Sequence, residues 1–322
     1  MMQGLCLADG RLTYQSNIPE PECRAGEARI RISLAGICST DLEMVKGYVP
    51  DFQGVLGHEF VGIVDAVADS SDAHWLGKRV VGSINLGCGH CAVCVSDGPE
   101  HCPNRTVLGI HDKHGVFADY ATLPVSNLLP VPENVPDETA VFTEPLAAAL
   151  RIREQVRIQP TAKTAVVGPG RLGLLTGLVL SLAGTDVTML GRRTESLELP
   201  AQLGLNTDLA ADFADDSFDF VVEATGNGAG FAQALRLVRP LGALILKSTY
   251  AGEVNIDLTK LVVDEINVVG SRCGPFAPAL RLLARGELDP RPLIAGEYAL
   301  RDGLAAFEQA AQPGVRKILL RP

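Results

Sequence analysis

The stretch KTAVVGPGRLG, residues 163–173, constrains the fold more than any other part of the chain. An apolar run of strand length meets glycines at positions 168, 170 and 173, and RLGLLTGLVLSLAG continues at helix length. A lone G-x-G-x-x-G is a weak signal, but between a strand and a helix it has a specific physical reading. Gly168 permits a tight turn, Gly170 lets the backbone approach a pyrophosphate, and Gly173 lets helix and strand pack closely. The helix N-terminus then faces an anion. Arg171 and Leu172, which open that helix, belong with the three glycines to the predicted cofactor-binding loop.

The surroundings agree with such a turn. From about residue 145, the short apolar runs DVTMLG, FDFVVEATG, GALILKS and INVVG follow, most of them separated by helix-length segments. That alternation predicts a doubly wound parallel sheet with helices on both faces. Before about residue 140 the texture is β-rich. There ARIRISLAGI, FVGIVDAVAD and KRVVGSI alternate with Gly, Pro and Asp turns. The tail from about 272 holds two helical pieces, FAPALRLLARGE and RDGLAAFEQAA, and a closing strand, RKILLRP. A length of 322 residues suits two domains and can bury sizeable cores without disulfides. The expected organisation is an α/β chain: a β-rich domain from residues 1–145 and 272–322, and a Rossmann cofactor domain over 146–271.

Charge and composition narrow the partners. The net charge is −10 and no long Lys/Arg run occurs, whereas a phosphate-backbone binder needs a basic face, so no nucleic-acid partner is expected. The start, MMQGLCLADGRLTYQ, lacks the charged and apolar regions of a signal peptide. No apolar stretch reaches the length of about 18 residues that a membrane span requires. A cytoplasmic protein without membrane attachment is expected, and in that compartment clustered cysteines read as metal ligands.

Four of the eight cysteines lie in GCGHCAVCVSDGPEHC: Cys88, Cys91, Cys94 and Cys102. Cysteines three apart on a tight turn can converge on one tetrahedral ion at about 2.3 Å. Four thiolates close the coordination sphere, so a zinc here is structural and holds a lobe of about residues 86–104. An iron–sulfur cluster uses ligands at similar spacing and is the alternative reading. A second set is dispersed: Cys38, Thr40 and Asp41 in GICSTD, His58 and Glu59 in GHEFVG, and Glu144 in FTEPLAAAL. Each has a plain reading singly, as a small core residue, a buried histidine or a charge at a helix start. Together Cys38, His58 and Glu144 supply a thiolate, an imidazole and a carboxylate, the three-ligand set of a catalytic zinc with one open position. Asp41 can accept the second N–H of His58 and fix its tautomer.

In order along the chain, GICSTD, GHEFVG, the four-cysteine lobe, TEPLAAAL, VVGPGRLG and VVEATG resemble the zinc-dependent medium-chain alcohol dehydrogenases, in the polyol/threonine dehydrogenase-like branch. The resemblance spans essentially the whole chain. It implies a GroES-like catalytic domain interrupted by a Rossmann domain, with Cys38, His58 and Glu144 as catalytic zinc ligands. Glu59 is implied as a nearby carboxylate that can replace a water or a ligand on the zinc. Two zincs per chain are implied, one catalytic and one structural, as is a homodimer or homotetramer. The implied reaction is reversible hydride transfer between a small-molecule secondary alcohol or polyol, or its ketone, and NAD(P). Thr40 stands where the family has a hydroxyl proton relay. Some members continue the relay to a histidine three positions on, where this chain has Glu43, and Glu43 or water is the candidate for that outer step. A reductase of carbonyl or unsaturated substrates that keeps the zinc site is the alternative within the fold. A zinc hydrolase is a remoter one, since it has no use for a dinucleotide loop.

The strand after the glycine loop bears on the cofactor. DVTMLGRR ends at Gly191, about 20 residues on, where an NAD enzyme places a carboxylate on the ribose 2′-hydroxyl. Gly191 has no carboxylate, and Arg192 and Arg193 follow it. Guanidinium groups suit a 2′-phosphate, so NADP is expected over NAD. Of the remaining polar residues, His111 and His114 read as a solvated loop and Glu223 as structural. Ser271 and Cys273 follow the last Rossmann strand, where their backbone meets the nicotinamide end of the cofactor by family analogy.

Overall fold

The computed structural model describes residues 1–249 and 254–322. The strands used below are β1 (Glu27–Ile37), β2 (Glu59–Val67), β3 (Arg79–Gly82), β4 (Tyr120–Pro124), β5 (Leu128–Pro130), β6 (Lys163–Val167), β7 (Asp186–Gly191), β8 (Asn206–Leu209), β9 (Phe218–Glu223), β10 (Val238–Leu246), β11 (Asn267–Gly270), β12 (Ile294–Ala299) and β13 (Lys317–Arg321). The helices are α1 (Ser39–Val45), α2 (Ala92–Ser96), α3 (Thr143–Gln155), α4 (Arg171–Leu182) and α5 (Gly228–Leu237). The chain forms two compact units, Met1–Glu144 with Phe276–Pro322, and Pro145–Pro275.

The first unit is built on a seven-stranded sheet in the order β5-β3-β2-β1-β13-β12, with β4 also paired to β1. Between Ala28 and Leu34, β1 alternates buried with more exposed residues, as a strand covered on one face does, and from Leu34 to Ile37 every residue is buried. Its register fixes what meets at that end. Gly36 pairs with Glu59 on one side and with Leu319 on the other, and Ile37 pairs with Ile318. The end of β1, the start of β2 and the start of β13 therefore converge, and the candidate site forms there.

The second unit carries a six-stranded sheet in the order β8-β7-β6-β9-β10-β11, parallel throughout. The order runs outward in both directions from β6, so the carboxyl end of β6 is the place where ligands bind in such sheets. Val166, Val221, Val222, Leu244 and Ile245 are buried in its strands, as expected of a sheet covered on both faces. The edge strand β8, NTDL, is polar and partly exposed. It gives no apolar period in the sequence and forms through its pairing with β7.

Candidate active site and metal centres

Cys38 caps α1. Asp41, three residues on, accepts the Cys38 backbone N–H at 2.7 Å through Oδ2, an N-terminal capping arrangement. Its other oxygen, Oδ1, lies 3.2 Å from His58 Nδ1. One fully buried carboxylate thus holds the backbone of one predicted ligand and lies beside the ring of another. With Nδ1 turned to Asp41, the other ring nitrogen of His58 is the one left to face a metal. Burial works against the charged ring, but Asp41 outweighs it, with Cys38 adding to the effect, and the His58 pKa is raised well above its ordinary value.

Among the described residues, donor atoms of Cys38, His58 and Glu59 lie within 4.8 Å of one another. Glu59 is fully buried, and its Oε2 accepts from the Lys317 ammonium, which begins β13. Its Oε1 is buried with no hydrogen-bond partner. A buried carboxylate oxygen without a donor, beside a cysteine and a histidine, is what a cation would satisfy. The donor set fits zinc. Lys317 also donates to Ile37 O at 3.4 Å and stands 5.8 Å from the Phe142 ring centroid. Gly36 makes room for the pair, since a Cβ there would fall 2.5 Å from Glu59 Oε2. Glu144 lies in the first turn of α3, half-buried, and is not among the three residues whose donor atoms gather. Thr40 Oγ1 is 3.8 Å from Cys38 Sγ. Glu43 points its carboxylate to Lys46 at 2.7 Å.

The second cluster is Cys88, Cys91, Cys94 and Cys102. The Sγ of Cys88 lies 4.0 Å from that of Cys94, and Cys91 Sγ lies 3.8 Å from Cys102 Sγ. A tetrahedral zinc with Zn–S of about 2.3 Å separates its sulfurs by about 3.8 Å, so the sulfurs stand at the spacing of a zinc site. The backbone N–H groups of His90 and Cys91 pull the Cys88 thiol down to about 6, and that of Cys88 lowers Cys102. Burial, with the neighbouring thiols, pushes Cys94 up to about 12. A cation that takes all four as thiolates would displace the proton of Cys94. Cys91 caps α2, accepting from Cys94 N–H at 3.4 Å, so the local chain direction is set by the ligands themselves.

In the second unit, Gly168 has φ +103°, a conformation that favours glycine. A Cβ on Gly173 would fall 1.9 Å from Gly168 O, so no larger residue fits the turn. Gly170 caps α4, and a Cβ there would meet nothing within 4 Å, which leaves its backbone open to a ligand. Arg171 and Leu172 follow, both partly exposed. At the end of β7, Gly191 is buried, and a Cβ would lie 2.7 Å from Ser196 Oγ and 3.0 Å from Leu197. A larger side chain there would have to displace the Ser196 hydroxyl and Leu197. Arg192 and Arg193 are exposed beside it.

Two features escaped the sequence. Lys317 reads as a surface charge at the start of a strand, yet it is buried against Glu59. Lys247, after β10, is also buried. His114 is an exposed loop residue, as expected, and its Nδ1 accepts the Val55 N–H at 3.1 Å. Glu223 is buried, and its Oε1 accepts from Thr225 and Ser248 while Oε2 has no partner. No helix among the described residues is long and apolar enough to cross a membrane.

Residues 24–133 match the family described as the alcohol dehydrogenase GroES-like domain, and residues 172–285 match that described as zinc-binding dehydrogenase. The chain belongs to the zinc-dependent medium-chain alcohol dehydrogenase superfamily and is a dehydrogenase. It is 28% identical to a sorbitol dehydrogenase of Halalkalibacterium halodurans, over 94% of either chain. Among solved structures it is similar to a zinc-binding dehydrogenase of Sinorhizobium meliloti 1021 bound to NADP, with 26% identity, a TM-score of 0.91 and coverage of 100% of this chain and 99% of that one. An alcohol dehydrogenase of E. coli CFT073 complexed with NADH is 25% identical, with a TM-score of 0.90 and the same coverage.

Proposed function

We propose that this chain oxidises a secondary alcohol or polyol reversibly, with zinc at the Cys38/His58/Glu59 centre and NADP in preference to NAD. The observation that carries the reading is the buried centre itself: a thiolate residue, an imidazole beside Asp41 and an unpartnered carboxylate oxygen, in a chain that also holds an open Gly170 turn at the head of a helix. Similarity to a sorbitol dehydrogenase supports the polyol class. Neighbours with NADP and with NADH leave the cofactor to local chemistry. The crowded Gly191 and the exposed Arg192 and Arg193 favour a 2′-phosphate.

Bound zinc supplies Lewis acidity toward an alcohol oxygen, and the nicotinamide supplies the hydride acceptor. Cys38 and His58 hold the metal, with Glu144 as the further carboxylate that the family resemblance implies. Asp41 fixes the His58 tautomer, and Glu59 offers Oε1. Thr40, beside Cys38, passes the substrate proton outward. Glu43 is engaged with Lys46, so in this arrangement the proton leaves Thr40 by another acceptor. The Cys88–Cys102 lobe holds a second, structural zinc. The eight free cysteines suit the cytoplasm. Exposed Leu258, Val262, Val263 and Val268 near the edge strand β11 support a homo-oligomer.

The test is absorbance at 340 nm with NADP, then NAD, against alcohols, polyols and hydroxy amino acids, repeated with a zinc chelator. Chelator-sensitive turnover with NADP favoured, and reversal of that preference in Arg192→Ala/Arg193→Ala, is the expected result. A marked preference of the wild-type chain for NAD would refute the cofactor assignment.

A further inference from the structure

Lys247 follows β10 directly and is only 8% exposed. Its ammonium donates to Ala148 O at 2.6 Å, Arg272 O at 3.0 Å and Ser271 Oγ at 3.2 Å. Ala148 lies in α3, and Ser271 and Arg272 lie just after β11. The Lys247 backbone N–H donates to Glu223 O, at the end of β9, at 2.9 Å. One residue therefore ties the carboxyl ends of three adjacent strands to a helix. The segment after β11 also lies close on that helix, since a Cβ on Gly274 would fall 1.9 Å from Ala147 O. Burying an ammonium is costly, and an apolar side chain of similar volume would fill the same space more cheaply. What Lys247 adds is a fixed direction for the groups it holds.

The sheet order shows what those groups face. The glycine loop follows β6, and Arg192 and Arg193 follow β7 on one side of it. A dinucleotide with its pyrophosphate on the loop and its adenosine over β7 extends its other arm over the carboxyl ends of β9, β10 and β11. In a trans peptide the C=O and the following N–H point in opposite directions. With Arg272 C=O drawn to Lys247, the Cys273 N–H is turned to the other side of the segment.

We infer that Lys247 is a positioning residue that holds the Ser271–Cys273 backbone where it meets the nicotinamide end of the cofactor. The inference rests on the dehydrogenase reading above. It predicts damage confined to one half of the cofactor. Binding of NADPH and NADH would be followed by nicotinamide fluorescence, and binding of their nicotinamide-free fragments, 2′-phospho-ADP-ribose and ADP-ribose, by calorimetry. In Lys247→Met, binding of the preferred dinucleotide is expected to weaken about tenfold, as loss of hydrogen bonds from a charged group implies, with the fragment binding unchanged. Lys247→Gln, which keeps a donor, carries the same comparison should the Met variant fail to fold, with a smaller selective loss expected. Equal weakening of dinucleotide and fragment would make Lys247 a general structural residue and overturn the inference, as would unchanged binding of both. Wild-type protein that binds neither dinucleotide would overturn the dehydrogenase reading itself, which separates the two failures.

Discussion

Lys317→Met tests the buried pair at the metal centre most directly. Lys317 and Glu59 are 2% and 1% exposed, so the pair belongs with buried ion pairs rather than surface ones, which contribute about 0–1 kcal/mol. Methionine keeps most of the lysine stem, so little cavity forms. What remains is a carboxylate that loses its counterion on Oε2 while Oε1 already has no partner. At contact, with an effective dielectric of about 20, the lost attraction is about 4–5 kcal/mol. Breaking a buried pair from one side costs about 3–5 kcal/mol by experience with other proteins, and the two figures agree. The assay is urea unfolding in the presence of chelator, followed by the single tryptophan, Trp75, which lies in the first unit and reports on it. The expected loss in Lys317→Met is about 3–5 kcal/mol, and Glu59→Gln in the same chain should recover most of it, since the stranded charge is gone. A loss under about 1 kcal/mol would mean that water reaches the pair, and the reasoning from burial would fail.

Cys94→Ser should reduce the zinc content by one atom per chain and lower the thermal midpoint of the first unit, because the lobe folds around its ligands; metal analysis and a melting curve check both. Gly173→Ala places a Cβ 1.9 Å from Gly168 O and is expected to abolish dinucleotide binding and to destabilise by about 1–3 kcal/mol, read by calorimetry and denaturation. For His114, burial and then the charge of Lys113 lower the pKa below the usual 6.5. The unfolded chain then binds more protons between the two values, so this stabilisation is complete above about pH 6.5 and is lost as pH falls. The ring is partly exposed, so the loss by pH 5 is small, about 0.5 kcal/mol. His114→Ala should flatten that slope in a series of unfolding curves.

Legibility of the fold followed chemistry that is local in sequence. The strand–glycine–helix turn at 163–182 needs only neighbouring residues, and so do the cysteines whose sulfurs come within 4.0 Å. Apolar runs such as DVTMLG read directly because both faces of their sheet are covered. NTDL did not, since an edge strand with polar residues carries no apolar signal and depends on pairing. At the metal centre, Cys38 and His58 could be singled out by residue type and come together in space. Lys317 could not, because its burial depends on Leu319 pairing with Gly36, a register that local pattern does not reveal. His114 stands exposed in a loop, as its sequence suggested, but the Val55 N–H that it accepts lies 59 positions away and has no local signal.

The position of β13 bears on how the chain is made. It lies inside the first unit's sheet, between β1 and β12, yet it is synthesised after the whole of the second unit. Glu59 and Lys317 are 258 positions apart. At the usual pace of translation, Glu59 waits roughly tens of seconds for its buried counterion. Through that interval the Ala35–Ile37 end of β1 has an unpaired edge and the candidate metal centre lacks one of its walls. The second unit, continuous in sequence, can complete itself meanwhile. The first unit therefore cannot close its sheet, or complete the buried surroundings of Glu59, until the last residues of the chain are made.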